Sequence, residues 1–579
     1  MERRDLVWQV GGAQGEGIES AGALFLQIMH EEGYYVASHR HFMSLIKGGH
    51  THYQVRVGSR PLLTPGDRVD ILVAFDQLSI EHDADKLHEG SLVLANAAKK
   101  PHLPEGSPGR LLPVDFLALA KQAGGAIMAN TVALGATGAL LGWGEEALDE
   151  YFTSRFGRKG DEVVEQNRNA YRLGWEAVHK LGIPPLAMPE KPAPGRRVLL
   201  QGDEAMGWGS LEAGSRLFFA YPITPASEIL QWLAKWLPKV GGAVVQAEDE
   251  IAAVNYAIGA NLAGQRAWTA TSGPGFSLMQ EGIAIAAMTE TPVVIVDAQR
   301  GGPATGLPTR PEQSDLNEIL YGSHGDQPRI VISPATTADA FWAIQAAFNA
   351  AEKYQCPVIV AADLNLALDV RNVDLEELRR IPVERGQLDL EPGAFAPHTY
   401  PRFQLTDTGV SPRVLPGVPG KTTAAVGDEH TVEGHITEDA EPRVAQMTKR
   451  LKKMETAAAD PELTREALWT SGPEDADLVL VGFAGTYGPI EEARQLLEAE
   501  GVPARHVHLR VLRPFPTRAL AAELEGKKVL VVEQNATGQL AGELRRQLGS
   551  DGFHSCLKFD GNPFTTAEVL ASVREVLAR

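Results

Sequence analysis

Three polar side chains lie in segments whose composition is typical of a ligand site: Thr224, Glu250 and Arg310. Thr224 lies in Tyr-Pro-Ile-Thr-Pro, residues 221–225, between a strand-like and a helix-like run. Each proline fixes its own φ at about −65° and favours an extended residue before it. A hydroxyl on such a stiff turn, after a strand, is typical of ligand sites in open α/β sheets. Thr224 could instead cap the following helix.

Glu250 is one of three consecutive acids, with Glu248 and Asp249, at a predicted strand-to-helix junction. Acidic residues at a helix start interact favourably with the helix dipole, so capping is the simple alternative. The helix that follows is rich in alanine, however, and Glu250 would enter a packed interface where an unpaired charge is costly. A carboxylate held in such a place is a candidate for function.

Two further segments follow along the chain. Residues 269–276 read Thr-Ala-Thr-Ser-Gly-Pro-Gly-Phe, a strand that ends in hydroxyl side chains and a glycine-rich turn. Such a turn lets another backbone or a cofactor ring approach closely. The loop of residues 301–316 has one permanent cation, Arg310, between Thr309 and Pro311. Arginine on a stiff loop suits two-point binding of a carboxylate, although a plain surface arginine is the common alternative.

These segments belong to a chain of 579 residues in which predicted strands alternate with predicted helices. That length implies roughly three or four domains. The alternation predicts an α/β protein with several mostly parallel sheets covered on both faces. We predict these boundaries: an α/β domain at 1–185, a proline-rich linker at 186–197, a second α/β domain at 198–383, an irregular excursion with a connecting helix at 384–470, and a third α/β domain at 471–579.

The region before the third domain gives two further predictions, one for an irregular segment and one for a helix. Residues 384–444 lack periodicity and are rich in proline, glycine and polar residues, and their aromatic and histidine side chains favour an ordered, packed excursion. Residues 445–455, Ala-Gln-Met-Thr-Lys-Arg-Leu-Lys-Lys-Met-Glu, predict a helix with a solvated basic face and a buried stripe of methionine and leucine.

The composition excludes several classes of protein. A net charge of −20 argues against nucleic acid or an anionic membrane as the main partner. The two cysteines, Cys356 and Cys556, are too few for a disulfide scaffold, a zinc ribbon or a resident all-cysteine iron–sulfur cluster. No apolar run of about 18 residues is present, and we expect a cytoplasmic location.

Four motifs in order, YPITPAS, AEDEIAAVNYAIGA, TATSGPGF and TGLPTRPEQSDL, resemble the α subunit of the 2-oxoacid:ferredoxin oxidoreductases. The N-terminal segment, with VGGAQGEGIESAG and IKGGHTHYQVRV, is similar to the γ domain of that family, here fused ahead of the α domains. The end of the chain, with VLRPFP and VVEQNATGQL, is similar to its transketolase C-terminal-like domain. The likeness is strongest to fused α subunits labelled 2-oxoglutarate oxidoreductases.

The resemblance implies that residues 198–383 form the pyrimidine-binding domain for thiamine diphosphate. Glu250 would hydrogen-bond the aminopyrimidine ring, with Glu248 as the alternative if the register differs by two. Thr224 and Arg310 would contact the 2-oxoacid, Arg310 through the substrate carboxylate. Six further residues would lie against the cofactor: Tyr221, Pro222, Ile223, Thr271, Ser272 and Gly273.

Half of a thiamine site is missing from the sequence. The diphosphate half needs Gly-Asp-Gly followed by asparagines that hold Mg²⁺, and the Gly-Asp pairs here lack the third glycine. By the resemblance, that half lies on a β subunit, which also carries Mg²⁺ and a [4Fe-4S] cluster. The implied enzyme is an (αβ)₂ heterotetramer that converts a 2-oxoacid and coenzyme A to acyl-CoA and CO₂, with reduction of ferredoxin.

Alternatives remain at this point. A non-catalytic protein on the same domains could bind a nucleotide or acyl-CoA, and a member specific for pyruvate or a branched-chain 2-oxoacid would share all the motifs. A self-contained decarboxylase or transketolase-like enzyme is disfavoured by the missing Gly-Asp-Gly motif. Four N-terminal residues are candidates for contact with coenzyme A or the partner, although ordinary packed or solvated roles are the simpler reading: His41, Lys47, His50 and His52.

Overall fold

The computed structural model describes residues 5–44 and 48–578. Lys47 therefore lies outside the described residues. The chain divides into two compact units, Met1–Leu199 with Asp369–Asp374, and Leu200–Leu368 with Leu375–Arg579. Each unit is an α/β structure with its own sheet or sheets, which confirms the predicted fold class.

Strands and helices are numbered along the chain. The strands are β1 Asp5–Ala13, β2 Tyr35–His41, β3 His50–Gly58, β4 Ile71–Ala74, β5 Leu92–Asn96, β6 Arg110–Val114, β7 Arg197–Leu200, β8 Leu217–Ala220, β9 Ala243–Gln246, β10 Ala267–Thr271, β11 Val293–Gln299, β12 Ile330–Ile332, β13 Pro357–Asp363, β14 Arg371–Asp374, β15 Leu468–Ser471, β16 Leu478–Phe483, β17 Ala504–Leu509, β18 Val511–Arg513, β19 Lys528–Glu533 and β20 Phe553–Leu557. The helices are α1 Ile18–Glu31, α2 Gln77–His82, α3 Phe116–Ala123, α4 Ala129–Leu140, α5 Asp149–Phe156, α6 Asp161–His179, α7 Gly202–Glu212, α8 Ser227–Trp236, α9 Glu250–Leu262, α10 Gly273–Leu278, α11 Gln280–Met288, α12 Leu316–Tyr321, α13 Thr337–Tyr354, α14 Leu364–Leu368, α15 Ala440–Ala458, α16 Pro461–Glu466, α17 Tyr487–Ala499, α18 Thr517–Leu524, α19 Gln539–Leu548 and α20 Thr566–Ala578.

The first unit has one mixed sheet of eight strands in the order β6-β5-β4-β1-β3-β2-β14-β7. Strands β1, β4, β5 and β6 run parallel, and β3 pairs antiparallel with both β1 and β2. Strand β4 reads Ile-Leu-Val-Ala and is buried throughout, as expected for a strand covered on both faces. Strand β7 falls at the predicted start of the second domain, residue 198, but it lies at the edge of this first sheet, beside β14.

The second unit contains a sheet of seven strands and a sheet of five. The larger has the order β18-β12-β13-β11-β10-β8-β9 and is parallel except for β18, which pairs antiparallel with β12. The smaller has the order β15-β17-β16-β19-β20, with β15 antiparallel. A single apolar core includes residues of both sheets, from Val254 to Leu544. Strand β18, from the last part of the chain, forms the edge of the seven-stranded sheet, whose other strands come from the middle part.

Residues 378–439 carry no helix or strand, yet the segment is packed, because Tyr400, Phe403, Val410 and Val414 are buried. The prediction that the basic face of the following helix is solvated, with its methionine and leucine residues buried, is wrong. Lys449, Arg450 and Lys453 are buried in α15, whereas Leu451 is exposed.

The reason for that reversal is Glu290, which is fully buried in the loop after α11. Its two carboxylate oxygens lie 2.6 Å from Lys449 Nζ and 2.6 Å from Lys453 Nζ. Burial raises the pKa of Glu290, but the two lysines and Arg402 outweigh it and hold that pKa far below its ordinary value. The buried carboxylate of Glu290 thus explains why the basic face of α15 lies toward the interior.

Within the described residues, no single helix is long and apolar enough to cross a membrane. Two consecutive helical segments, Phe116–Ala123 and Ala126–Leu140, are long and apolar enough only when counted together, and the chain bends by 120° between them.

Candidate active site

The four sequence motifs meet at one edge of the seven-stranded sheet. Strands β8, β9, β10 and β11 are parallel neighbours; β8 and β9 end opposite each other at Ala220 and Gln246, and β10 ends at Thr271, opposite Asp297 near the end of β11. The turn after each strand therefore opens at the carboxyl edge, where open α/β sheets bind their ligands.

Thr224 lies in the turn between β8 and α8 and is half-buried. The cap position of α8 is Ala226, which makes no side-chain capping bond, so Thr224 does not cap this helix. Its backbone carbonyl accepts a hydrogen bond from Arg300 Nη1 at 2.7 Å. Two neighbours in the same turn, Tyr221 and Pro222, are exposed and Ile223 is half-buried.

Glu250 is the first residue of α9, and its side chain is buried, with 5% of the residue exposed. Asp249 caps the helix by accepting from the backbone N–H of Ala252 at 2.8 Å, so the capping role falls to the neighbour. Glu248 is exposed and accepts from the Tyr256 hydroxyl at 3.5 Å. Of the two glutamates considered from the sequence, Glu250 is the one that faces the protein interior.

The turn after β10 lies directly against Glu250. A Cβ at Gly275 would lie 2.5 Å from Glu250 Oε1 and 2.1 Å from Thr271 Oγ1, so any side chain there would collide with both. Thr271 and Ser272 are fully buried, and Ser272 Oγ has no hydrogen-bond partner. Glycine at 275 thus allows an acid and a hydroxyl to converge on one point.

Gly273, at the start of α10, lies against a different acid. A Cβ at this position would be 2.6 Å from a carboxylate oxygen of Asp315. The glycine-rich turn therefore contacts Glu250 on one side and Asp315 on the other.

Arg310 is half-buried on the loop between β11 and α12. Burial lowers its pKa, opposed by the charge of Asp560 in the last part of the chain. A Cβ at Gly561 would lie 3.1 Å from Arg310 Cβ, so this loop packs on the arginine. The backbone carbonyl of Thr224, its predicted companion in substrate binding, accepts from Arg300, and the role of the Thr224 hydroxyl group stays a prediction.

Arg300 is a site residue that the sequence reasoning missed. It directly follows β11, is 6% exposed, and has no hydrogen-bond partner for Nε. Burial lowers its pKa, and the charge of Asp315 opposes that shift. The loop considered for cations began one residue later, whereas the rule that ligands bind at carboxyl strand ends would have included it.

Two buried carboxyls, Asp297 and Asp315, were also missed. Asp297 is fully buried within β11, and neither of its carboxylate oxygens has a hydrogen-bond partner. Burial, together with the charges of Asp315 and Glu318, raises the pKa of Asp297 well above its ordinary value. Burial and the nearby charge of Glu318 raise the pKa of Asp315 to about 7. An aspartate inside the apolar run Val-Val-Ile-Val-Asp-Ala-Gln was the signal available in the sequence.

The fourth motif region is tied to the C-terminal domain through Gln313. Its side chain donates to Asp363 Oδ2 at 2.8 Å and to the Phe483 carbonyl at 3.0 Å. Its backbone N–H donates to the Gln534 carbonyl at 2.6 Å, and its side-chain oxygen accepts from the Gln534 N–H at 3.0 Å. Asn535 adds a bond to the Gln313 carbonyl at 3.2 Å. The TGLPTRPEQSDL loop is thus held against VVEQNATGQL.

A cleft of about 860 Å³ opens beside these segments. Its wall combines the glycine turn at Gly273, the loop after Arg300, the acid Asp315, and residues from the last part of the chain that include Asn535 and Phe559. The cleft is large enough for a small-molecule ligand, and its lining includes Arg300 together with the acids Glu312, Asp315 and Glu318.

Asp315 gives a pH prediction. Its pKa is raised in the folded protein, so between about pH 4 and pH 7 the folded state holds a proton that the unfolded state has released. The free energy of unfolding should therefore fall as pH rises through this window, by at most about 1.4 kcal/mol per pH unit for this group. Urea unfolding of Asp315→Asn between pH 5 and pH 8 should show a shallower fall than the wild type, because the amide does not ionise.

The exposed Asp326 provides the control, since Asp326→Asn should reproduce the wild-type pH dependence. Identical slopes for Asp315→Asn and the wild type would contradict the raised pKa.

A parallel sheet with a buried acid beside a hydroxyl- and glycine-rich turn is the architecture of a cofactor-binding α/β enzyme. Comparison of the sequence with protein families agrees with this class of protein and makes it more specific. Residues 209–450 match "Pyruvate flavodoxin/ferredoxin oxidoreductase, thiamine diP-bdg", residues 7–177 match "Pyruvate ferredoxin/flavodoxin oxidoreductase", and residues 476–569 match "Pyruvate:ferredoxin oxidoreductase core domain II". The middle of the chain is therefore a thiamine-diphosphate-binding domain of an oxidoreductase.

Individual relatives narrow the class. A 2-oxoacid:ferredoxin oxidoreductase subunit alpha from Sulfolobus sp is 34% identical over 99% of this chain and 97% of that relative. The 2-oxoglutarate oxidoreductase subunit KorA of Mycobacterium tuberculosis is 30% identical over 99% of this chain and 92% of its own length. The solved 2-oxoglutarate:ferredoxin oxidoreductase of Magnetococcus marinus, bound to 2-oxoglutarate, coenzyme A and succinyl-CoA, is 34% identical and covers 100% of both chains, with a TM-score of 0.93.

The chain belongs to the 2-oxoacid:ferredoxin oxidoreductase family, as an α subunit. The resemblance identified from the motifs is confirmed, and with it the assignment to an oxidoreductase enzyme. As an α subunit, the chain has a partner subunit.

Proposed function

We propose that this chain is the catalytic α subunit, with a fused γ-like segment, of an enzyme that oxidatively decarboxylates 2-oxoglutarate to succinyl-CoA and CO₂ with reduction of ferredoxin. A β subunit completes the thiamine diphosphate site and supplies Mg²⁺ and a [4Fe-4S] cluster. An (αβ)₂ assembly and a cytoplasmic location belong to the same proposal.

The observation that carries the proposal is the buried Glu250 beside the TATSGPGF turn. Glu250 is 5% exposed, and its Oε1 lies 2.5 Å from the point that a Cβ at Gly275 would occupy, so a ligand that enters this turn would contact the carboxylate directly. Gly275 leaves open the space beside Glu250 and Thr271, and Ser272 Oγ is buried without a partner. These residues fit the ring-binding half of a thiamine site. The cofactor, when bound, supplies the carbanion chemistry of 2-oxoacid decarboxylation.

The residues of this chain have four roles in the proposal. Glu250 holds a proton between its carboxyl group and a ring nitrogen of the cofactor, which sets the protonation state needed for reaction. Thr271, Ser272 and Gly273, together with Tyr221, Pro222 and Ile223, form the apolar and hydroxyl wall against the ring. Thr224 hydrogen-bonds the 2-oxoacid. Arg310 pairs with its carboxylate.

Two facts favour 2-oxoglutarate as substrate. The M. tuberculosis relative is named for this acid, and the M. marinus structure was solved with it bound. A broader 2-oxoacid specificity is the second candidate, because the Sulfolobus relative is named for 2-oxoacids in general. Pyruvate-specific or branched-chain-specific activity and a binding-only protein are the remaining alternatives.

Purification with a candidate β chain tests the function. We expect reduction of a viologen dye that requires a 2-oxoacid, coenzyme A and both chains, with kcat/KM for 2-oxoglutarate above that for pyruvate. Equal values would favour the broad specificity. Full activity of this chain alone with thiamine diphosphate would refute the shared site.

The role of Arg310 has its own test. Because a hydrogen bond to a charged group contributes about 1.5–3 kcal/mol, Arg310→Ala should lower kcat/KM for the 2-oxoacid by about 10- to 100-fold. Arg465→Ala, at a site whose side chain is 73% exposed, is the matched control and should leave kcat/KM unchanged. An unchanged value for Arg310→Ala would move the carboxylate contact to another residue, for which the buried Arg300 is the next candidate.

A further inference from the structure

A group of histidines and one aspartate meets inside the first unit, in the part of the chain that the function above leaves unused. His50 and His52 lie two residues apart on β3, so their side chains lie on the same face of the sheet. His82 is the last residue of α2, and Asp83 follows it directly. Two elements far apart in sequence thus bring three imidazoles and one carboxylate together.

The distances among the four groups are those of a metal site. His50 Nε2 lies 3.4 Å from His52 Nδ1, and His82 Nδ1 lies 3.2 Å from Asp83 Oδ1. Asp83 oxygens lie 3.7 Å from His50 Nε2 and 3.7 Å from His52 Nδ1. Ligands about 2.0–2.1 Å from a tetrahedral Zn²⁺ ion are separated by roughly 3.3 Å. One donor atom from each residue lies within 4.8 Å of the other three.

The aspartate points to a ligand independently of these distances. Asp83 is fully buried, and its Oδ2 has no hydrogen-bond partner although it faces His50. Lys86 Nζ contacts the other oxygen, Oδ1, at 2.9 Å. An unpaired carboxylate oxygen in a buried site is costly unless a cation or donor meets it.

Surrounding residues provide support and access. The ring of His41 stacks on that of His52, with centroids 4.7 Å apart, and so fixes its orientation. The His82 side chain is 37% exposed, which leaves one side of the cluster open to solvent. A buried ligand set with one exposed member allows an ion to enter.

We propose that His50, His52, His82 and Asp83 form a binding site for a divalent transition-metal ion, Zn²⁺ in the first instance. Three imidazoles and a carboxylate match the ligand preference of zinc, and four ligands leave no open position, as in a structural zinc site. The site would join β3 to the end of α2 and stabilise the first unit.

The test uses the full chain without a histidine tag, stripped of metal with a chelator and dialysed against Zn²⁺. We expect one Zn²⁺ per chain, and with Co²⁺ the intense visible absorption of a tetrahedral ion. His50→Asn and His82→Gln should each weaken Zn²⁺ binding by at least about 10-fold. The exposed His398 lies in the other unit, and His398→Asn should bind as the wild type does.

Because His82 is at the exposed rim, His82→Gln keeps the test valid if His50→Asn fails to fold. Wild-type protein that binds no Zn²⁺, or binds it no more tightly than His82→Gln, would overturn the proposal. The readout needs neither substrate nor the partner subunit, so it is independent of the enzymatic assignment.

Discussion

Glu250→Gln is expected to reduce turnover with any 2-oxoacid by about 10²- to 10⁴-fold, the range typical of a lost acid–base group. The amide keeps the size of the side chain but cannot exchange a proton with a ring nitrogen of the cofactor. Because glutamine occupies the same volume, the folded structure should change little. Viologen reduction by the assembled enzyme measures the loss, and co-elution with the β chain shows that assembly is intact.

Glu248→Gln is the matched control, since this neighbour has the same charge and lies two residues away, but is exposed. Its turnover should equal that of the wild type. Normal turnover in Glu250→Gln with a loss in Glu248→Gln would reverse the assignment. Normal turnover in both variants would remove this acid cluster from the mechanism.

The largest stability effect is expected for Glu290→Gln. The change leaves Lys449 and Lys453, both buried, without the carboxylate that lies 2.6 Å from each. Breaking a buried ion pair by removing one partner typically costs about 3–5 kcal/mol. Urea-induced unfolding at neutral pH should show a loss of this order in the free energy of unfolding.

The pH dependence of that loss follows from the lowered pKa of Glu290. A carboxylate whose pKa is depressed by folding stabilises the protein fully above its unfolded pKa of about 4.3, and the contribution fades as pH falls below that value. The difference between wild type and Glu290→Gln should therefore shrink in acid. Glu281→Gln, whose side chain is 67% exposed, should change stability by less than about 0.5 kcal/mol. A similarly small effect for Glu290→Gln would mean that the lysines are neutral in the folded protein.

The sequence was sufficient for the elements and for the motif that contains the buried acid. The alternation of predicted strands and helices predicted parallel sheets covered on both faces, and Thr224, Glu250 and Thr271 were each placed near the end of a predicted strand; that these strand ends lie at one edge is seen in the structure. The choice between Glu248 and Glu250 needed only the expectation that an alanine-rich helix face is buried. The roles of these residues, and the domain boundaries, stay predictions.

Long-range partners could not be predicted. The inward face of α15 depends on Glu290, more than 150 residues earlier, and no local periodicity encodes that ion pair. Strand β7 lies where the second domain was predicted to begin. It joins the first sheet because its neighbour there, β14, comes from residues 371–374. Arg300 was missed because it falls between the end of β11 at Gln299 and the loop of residues 301–316. For α15 and β7, a contact distant in sequence decides the structure.

The position of β18 has a consequence for how the protein is made. Strand β12 ends at Ile332, and its outer neighbour β18 begins at Val511, roughly 180 residues later. At about 5–20 residues per second, the ribosome needs roughly 10–40 s to deliver it. During that interval the backbone N–H and C=O groups on the outer side of β12 are open to pairing with other chains. A nascent chain of this kind would benefit from a chaperone until its last domain emerges.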